Sequence, residues 1–181
     1  MRIVLDACVL FPTVLREILI GTAATGVFTP LWSARILEEW ARATRRLPAG
    51  AEAVARAEIA VLRADWPESE VVPPPDLVET LSLPDPDDRH VLAAAIAGRA
   101  EVLMTLNVRD FPTRTLARHE VLLREPDGFL TELNAEGVDM AAVCAQVQPR
   151  AEAASGRPQP LRPLLKRAGL PRLGKALSPP A

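Results

Sequence analysis

The sequence predicts an α/β fold built on a mainly parallel central sheet, and three observations carry that expectation. Short apolar runs without polar alternation stand at Ile3-Val4-Leu5, Val102-Leu103-Met104 and Val121-Leu122-Leu123; strands buried on both faces read this way. Between them lie longer segments whose apolar residues recur at helical spacing, with glycine and proline at the joins. Hydrophobic residues make up 49% of the 181, enough for a sizeable core.

Each element has its own signal. Ile3–Leu5 forms the first strand, with Asp6 at its carboxyl end. Phe11-Pro12 opens a helix in which Val14, Leu15, Ile18 and Leu19 share a face, and Gly21 and Gly26 bracket its exit. Residues 27–30 suit a second strand. Ser33 is an N-cap for a helix running to about Arg46, with Ile36, Leu37 and Trp40 as its buried stripe. Residues 51–65 read as a further helix, residues 71–72 as a strand, and Pro73-Pro74-Pro75 as a stiff connector. Val91, Leu92, Ala95 and Ile96 form the stripe of a helix at 88–99, with Gly98 as its stop signal. Phe111-Pro112 begins a loop, and a helix starts at Pro126 and reaches about Asn134. From residue 138 the composition shifts: Met140, Val143, Cys144 and Val147 suit one more helix, and two leucine clusters (161, 164, 165 and 170, 173, 177) suit one or two small docked helices.

Composition excludes several classes. No apolar run approaches the roughly 20 residues of a membrane span, and Met1-Arg2 leads straight into the first strand, leaving no room for a signal-peptide core. Cys8 and Cys144 lie far apart, without metal-ligand spacing or a disulfide framework, so a reducing cytoplasm is the expected setting. Two histidines, His90 and His119, are too few for a histidine-built metal site, so any metal here would be held by oxygen. Residues 1–149 carry 14 Lys/Arg against 22 Asp/Glu, a balance of −8, whereas residues 150–181 carry 7 against 1, a balance of +6. Such a basic tail suits nucleic acid or an acidic partner surface, or folding back on its own body.

The acids carry the chemistry. In open α/β sheets, ligands bind beyond the carboxyl ends of the strands. Asp6 stands there on the first strand; Thr105, Asn107 and Asp110 follow the strand at 102–104; Asp85, Asp87 and Asp88 crowd the start of the helix at 88–99. Carboxylates sharing a small volume raise one another's pKa values, and a divalent cation with all-oxygen ligands, Mg²⁺ or Mn²⁺, removes the conflict. Such a site generates a nucleophile from water and steadies the charge of a phosphodiester under attack. Each acid also has a structural reading. Asp6 and Asp110 can shape turns, and Asp85, Asp87 and Asp88 can cap a helix and complement its dipole. Glu39 can pair with Arg35 one turn back, and Glu38 with Arg42, each worth roughly 0.2–0.5 kcal/mol.

At these residues the chain resembles the PIN-domain nucleases, the fold of the VapC-type toxins of toxin–antitoxin pairs. The resemblance covers about residues 1–132 through four ordered motifs: Val4-Leu5-Asp6-Ala7-Cys8-Val9-Leu10, Ser33-Ala34-Arg35-Ile36-Leu37-Glu38-Glu39-Trp40, Asp85-Pro86-Asp87-Asp88-Arg89-His90-Val91-Leu92-Ala93-Ala94-Ala95 and Thr105-Leu106-Asn107-Val108-Arg109-Asp110-Phe111. It implies a three-layer α/β/α sandwich, with a nuclease domain at 1–132 and a helical, proline-rich extension at 133–181. The implied activity is that of a metal-dependent endoribonuclease, the toxin of a type II pair, cleaving structured RNA with Mg²⁺ or Mn²⁺. By motif, Asp6, Glu39, Asp88 and Asp110 would be catalytic. Asp6, Asp88 and Asp110 would hold the metal, and Glu39 would orient or deprotonate the attacking water. Glu39 is preferred to Glu38 because the family's glutamate precedes a bulky apolar residue, here Trp40. Thr105 and Asn107 would be auxiliary, Thr105 holding a water or phosphate. The family often has an acid where this chain has Asn107, so either Asn107 or Asp110 is the fourth site residue. Arg89, Arg109 and Arg114, close to the motifs, are candidates for RNA contact. A cognate antitoxin is the implied partner, and the fold commonly forms homodimers.

Two other readings compete. A haloacid-dehalogenase-like phosphatase needs a second aspartate two residues after the first, where this chain has Cys8. A PIN fold serving only as a protein-interaction module is opposed by acids at all four motifs.

Overall fold

A computed structural model describes residues 1–178; the last three residues of the expected extension lie outside the described residues. In chain order the elements are β1 (Arg2–Leu5), α1 (Ala7–Leu10), α2 (Thr13–Ala24), β2 (Thr29–Ser33), α3 (Ala34–Ala43), α4 (Ala51–Asp65), β3 (Glu70–Val71), α5 (Pro75–Thr80), α6 (Arg89–Ala97), β4 (Val102–Met104), α7 (Thr113–Ala117), β5 (Leu122–Arg124), α8 (Pro126–Ala135), α9 (Met140–Ser155), α10 (Leu161–Arg167) and α11 (Pro171–Ala176). Short 3-10 turns lie at Thr44–Arg46, Pro86–Asp88 and Val108–Asp110. Among the described residues no helix is long and apolar enough to cross a membrane.

The sheet runs β3-β2-β1-β4-β5, and every pairing in it is parallel, where the sequence suggested a mainly parallel one. The apolar runs explain its centre. Ile3, Val4 and Leu5 of β1, Leu31 and Trp32 of β2, and Leu103 and Met104 of β4 are wholly buried, while the edge strand β5 exposes Leu122. From β1 the chain moves outward to β2 and β3, then crosses back to lay β4 on the other side of β1. The strand order therefore reverses between β1 and β4, and the crevice beyond their carboxyl ends is where such sheets bind ligands. The crossover from β3 to β4 carries α5, the turn at Pro86–Asp88 and α6, which packs on β1, β2 and β4.

The chain divides into two compact units. The first, residues 1–11 and 28–124, holds the sheet and every residue of the candidate site. The second comprises residues 12–27 and 125–178, read to the end of the described chain. In it, Met140, Val143, Cys144 and Val147 of α9 are buried, as are Leu164, Leu165, Leu170 and Leu173 around α10 and α11. Asp127 caps α11, accepting the backbone N–H of Arg172 and of Leu173 at about 3.0 Å.

Candidate active site

Sheet hydrogen bonds fix the first acid. The Asp6 N–H donates to the Met104 carbonyl at 3.1 Å, carrying the β1–β4 ladder one residue past the strand. Thr105 N–H does the same toward Arg124, also at 3.1 Å. Asp6 and Thr105 thereby end side by side at the sheet's reversal. Asp6 precedes α1, yet its carboxylate caps no helix. It is 7% exposed, and its Oδ2 accepts from the Thr105 hydroxyl at 2.6 Å and from the Cys8 thiol at 3.1 Å. Thr105 in turn accepts the Asn107 N–H at 2.9 Å. Thr105 is wholly buried, and its hydroxyl proton is directed at Asp6. Burial, followed by the charge of Asp6, pushes the Cys8 thiol up to about 12, which keeps Cys8 a neutral donor and no nucleophile.

The second group forms at the start of α6. Asp85 Oδ1 accepts the Asp87 N–H at 2.9 Å, which nucleates the 3-10 turn at Pro86–Asp88. Side chains three apart eclipse in a 3-10 turn, so Asp85 and Asp88 line up on one side. Asp110, from the turn after β4, completes a trio: Asp85, Asp88 and Asp110 each offer an oxygen within 4.8 Å of the others. The Asn107 amide sits between two of them, donating to Asp110 Oδ2 at 2.5 Å and approaching Asp88 Oδ2 at 3.4 Å. Asp88 heads α6 without capping it through its side chain. Partial burial, then the charges of Asp6, Asp85 and Asp110, push its carboxyl from an ordinary 3.8 up to about 6. Asp87 is 93% exposed, and its Oδ1 lies 3.8 Å from the Arg35 guanidinium.

Glu39, on α3, stands apart from this trio. Its Oε1 lies 3.2 Å from Arg35 Nε and 2.8 Å from His90 Nε2, so the helix pair with Arg35 is present but is not its whole environment. Glu38 is engaged elsewhere: Arg56 and Arg42 hold it at 2.9 and 2.7 Å and pull its carboxyl down to about 2. Of the arginines near the motifs, Arg109 and Arg114 are exposed and Arg89 is half-buried. Among the described residues none of the three has a salt bridge or side-chain hydrogen bond. The fold thus brings Asp6, Asp88, Asp110, Thr105 and Asn107 together. It adds Asp85 and Cys8, which sequence reasoning had assigned to the helix start and to no role. Their signal was spacing: Asp85 is three residues before Asp88, and Cys8 two after Asp6.

The PIN domain family matches residues 2–109, more than half of the chain. This chain belongs to the PIN-domain family. The matched stretch of the PIN domain contains Asp6, Glu39, Asp85, Asp88, Thr105 and Asn107 and stops one residue before Asp110. Over 45 residues the chain is 47% identical to a Mycobacterium tuberculosis protein named "Putative ribonuclease VapC50"; the aligned stretch is 25% of this chain and 27% of that protein. No solved structure gives a significant match. The parallel five-stranded sheet with helices around it is the PIN-like α/β/α arrangement. The donor chemistry of this PIN domain fits a hard divalent cation. The trio offers only carboxylate oxygens, and their mutual repulsion, with that of Asp6, is what a bound cation would relieve.

Proposed function

We propose that this chain is an endoribonuclease that uses Mg²⁺ or Mn²⁺ to cleave structured RNA, and that it is the toxin of a type II toxin–antitoxin pair. The observation that carries the reading is the convergence of Asp88, Asp110 and Asp85 with Asp6 where the strand order reverses. Held by Asp6, Asp88 and Asp110 with Asp85 beside them, the ion would supply Lewis acidity at the scissile phosphate. Thr105 and Cys8 keep Asp6 oriented, and the Asn107 amide bridges Asp110 and Asp88 by donating to both. Glu39 takes a proton from the attacking water. The water oxygen bonds to phosphorus as the bond to the 3′-oxygen, in line with it, breaks; the departing 3′-oxygen takes up a proton from solvent, giving a 5′-phosphate and a 3′-hydroxyl. Arg89, Arg109 and Arg114 meet the RNA phosphates. Residues 1–132 carry the nuclease, and residues 133–181 extend it. The ribonuclease name and the VapC designation of the relative support the RNA substrate and the toxin role.

The second reading, a PIN fold without activity, is favoured by the neutral Asn107 and weakened by Asp110, which brings its carboxylate to the place where Asn107 supplies none. The purified chain should cut structured RNA in Mg²⁺ or Mn²⁺, and Asp6→Ala should lower the rate by roughly 10²-fold or more, the scale of losing a preorganised electrostatic group. Cleavage that survives either EDTA or Asp6→Ala would sink the mechanism. Harmless expression at high level without a partner would remove the toxin role and leave the nuclease standing.

A further inference from the structure

His90 lies in the first turn of α6, two residues after Asp88, and is 3% exposed. A buried imidazole without hydrogen-bond partners is costly, and native structures rarely leave one so. Neither ring nitrogen of His90 has an aligned hydrogen bond, yet Nε2 stands 2.8 Å from Glu39 Oε1. Arg35 Nε approaches the same oxygen at 3.2 Å. The Arg35 guanidinium also donates to the Asp87 carbonyl at 3.2 Å, tying α3 to the turn that carries Asp85 and Asp88. Both cationic or N–H groups therefore converge on Oε1, and among the described residues no hydrogen bond reaches Oε2.

We propose that His90 is a positioning residue for Glu39: with Arg35 it clamps the carboxylate through Oε1, fixes its distance from Asp88, and leaves Oε2 as the oxygen that receives the proton of the attacking water. This role rests on the nuclease reading. Three features support it. The imidazole is anchored by the first turn of α6, and Asp88 is the N-cap residue directly before that turn, so the two groups are set by adjoining backbone. Glu39 sits on a helix facing α6, with its side chain 36% exposed, and a free carboxylate there would sample several rotamers. A clamp at one oxygen selects one of them while keeping the other oxygen open to water.

The bland alternative is a histidine that merely fills space between α3 and α6. The two roles separate by substitution. His90→Leu keeps apolar volume and removes the N–H; His90→Gln keeps an N–H donor near the same place. With Mg²⁺ and a structured RNA, His90→Leu should lower kcat by roughly 10–100-fold, the usual effect of losing a group that orients a functional side chain, with KM within about twofold. His90→Gln should recover most of that loss. A readout independent of activity is the ring ¹⁵N resonance of His90, which should shift on Glu39→Gln. Full kcat in His90→Leu, equal loss in the Leu and Gln variants, or a His90 resonance indifferent to Glu39→Gln overturns the positioning role while leaving the nuclease intact. A wild-type chain that cuts no RNA under metal overturns both.

Discussion

Asp88 gives the site a pH dependence whose sign can be worked out. Its folded carboxyl is raised to about 6 by partial burial and by Asp6, Asp85 and Asp110, above the ordinary 3.8. Between those values the folded chain holds a proton that the unfolded chain has released. Its contribution to stability is therefore complete below pH 3.8 and is lost as pH rises through about 6. In metal-free buffer the melting temperature of the wild type should fall, relative to Asp88→Asn, between about pH 4 and pH 6.5, and saturating Mg²⁺ should flatten that difference. Melting curves that stay parallel for the two proteins across that range would remove the repulsion on which the metal argument depends. The same residues show what a sequence can disclose. Asp6, Asp88 and Asp110 were legible because each stands at the end of a recognisable strand or helix, and the sheet's topology brings those ends together. His90 and Cys8 were not, because their significance lies in what the fold sets beside them: Glu39 across a helix interface, and Asp6 across a tight turn.

At the level of elements, burial patterns were the reliable guide and proline was the unreliable one. The helix expected at 51–65 is found with those bounds, and β1 and β4 follow their apolar runs. The second strand lies further along, at Thr29–Ser33, with Pro30 inside it. Pro30 is tolerated because its missing N–H falls on the side where β3 pairs only from Trp32 onward. The connector at Pro73–Pro75 ends in a helix, since Pro75 serves as a first helical residue, where no N–H is needed. Likewise α9 continues through Pro149 to Ser155, and α1 and α7 were missed because four or five residues give too little periodicity to read. Gly98 is the C-cap of α6, where the sequence placed the stop, but not by a left-handed backbone. Its φ is an ordinary −77°, and the left-handed residue ending α6 is Arg99 at 49°. What Gly98 provides is room: an added Cβ would meet Leu31 Cδ1 at 2.8 Å, the Ala94 carbonyl at 2.9 Å and Val71 Cγ1 at 3.2 Å. The helix can sit close to β2 and β3 only without a side chain there. Gly98→Ala should destabilise the chain by about 1–3 kcal/mol, the range for overpacking, seen as a melting temperature lower by roughly 2–4 °C per kcal/mol. An unchanged melting temperature would mean that Leu31 and Val71 yield without cost.

For the whole molecule, the charge split along the sequence is not the charge split of the fold. The balances of −8 and +6 on either side of residue 150 become −3 for the first unit (13 Lys/Arg, 16 Asp/Glu) and +1 for the second (8 and 7). The basic end of the chain folds in one unit with α8 and its acids, and Arg150 pairs with Glu17 at 3.7 Å. Acid content alone therefore does not select a cation site; geometry does. Asp88 and Asp110 share the trio, whereas Asp127 has both oxygens committed to the backbone N–H groups of α11. This contrast makes a test of metal binding that needs no RNA. An ion that binds only the folded chain stabilises it by about 2.7 kcal/mol at a hundredfold excess over its Kd, which for a chain of this size is a shift of roughly 5–10 °C. Mn²⁺ should raise the melting temperature of the wild type by that order and should do so far less in Asp88→Asn and Asp110→Asn. Asp127→Ala should start lower, by the roughly 0.5–2 kcal/mol of a lost helix cap, yet keep the full Mn²⁺ shift. Equal shifts in all four proteins would mean that the ion is answering to overall charge, and the site at the reversal of the strand order would lose its claim to the metal.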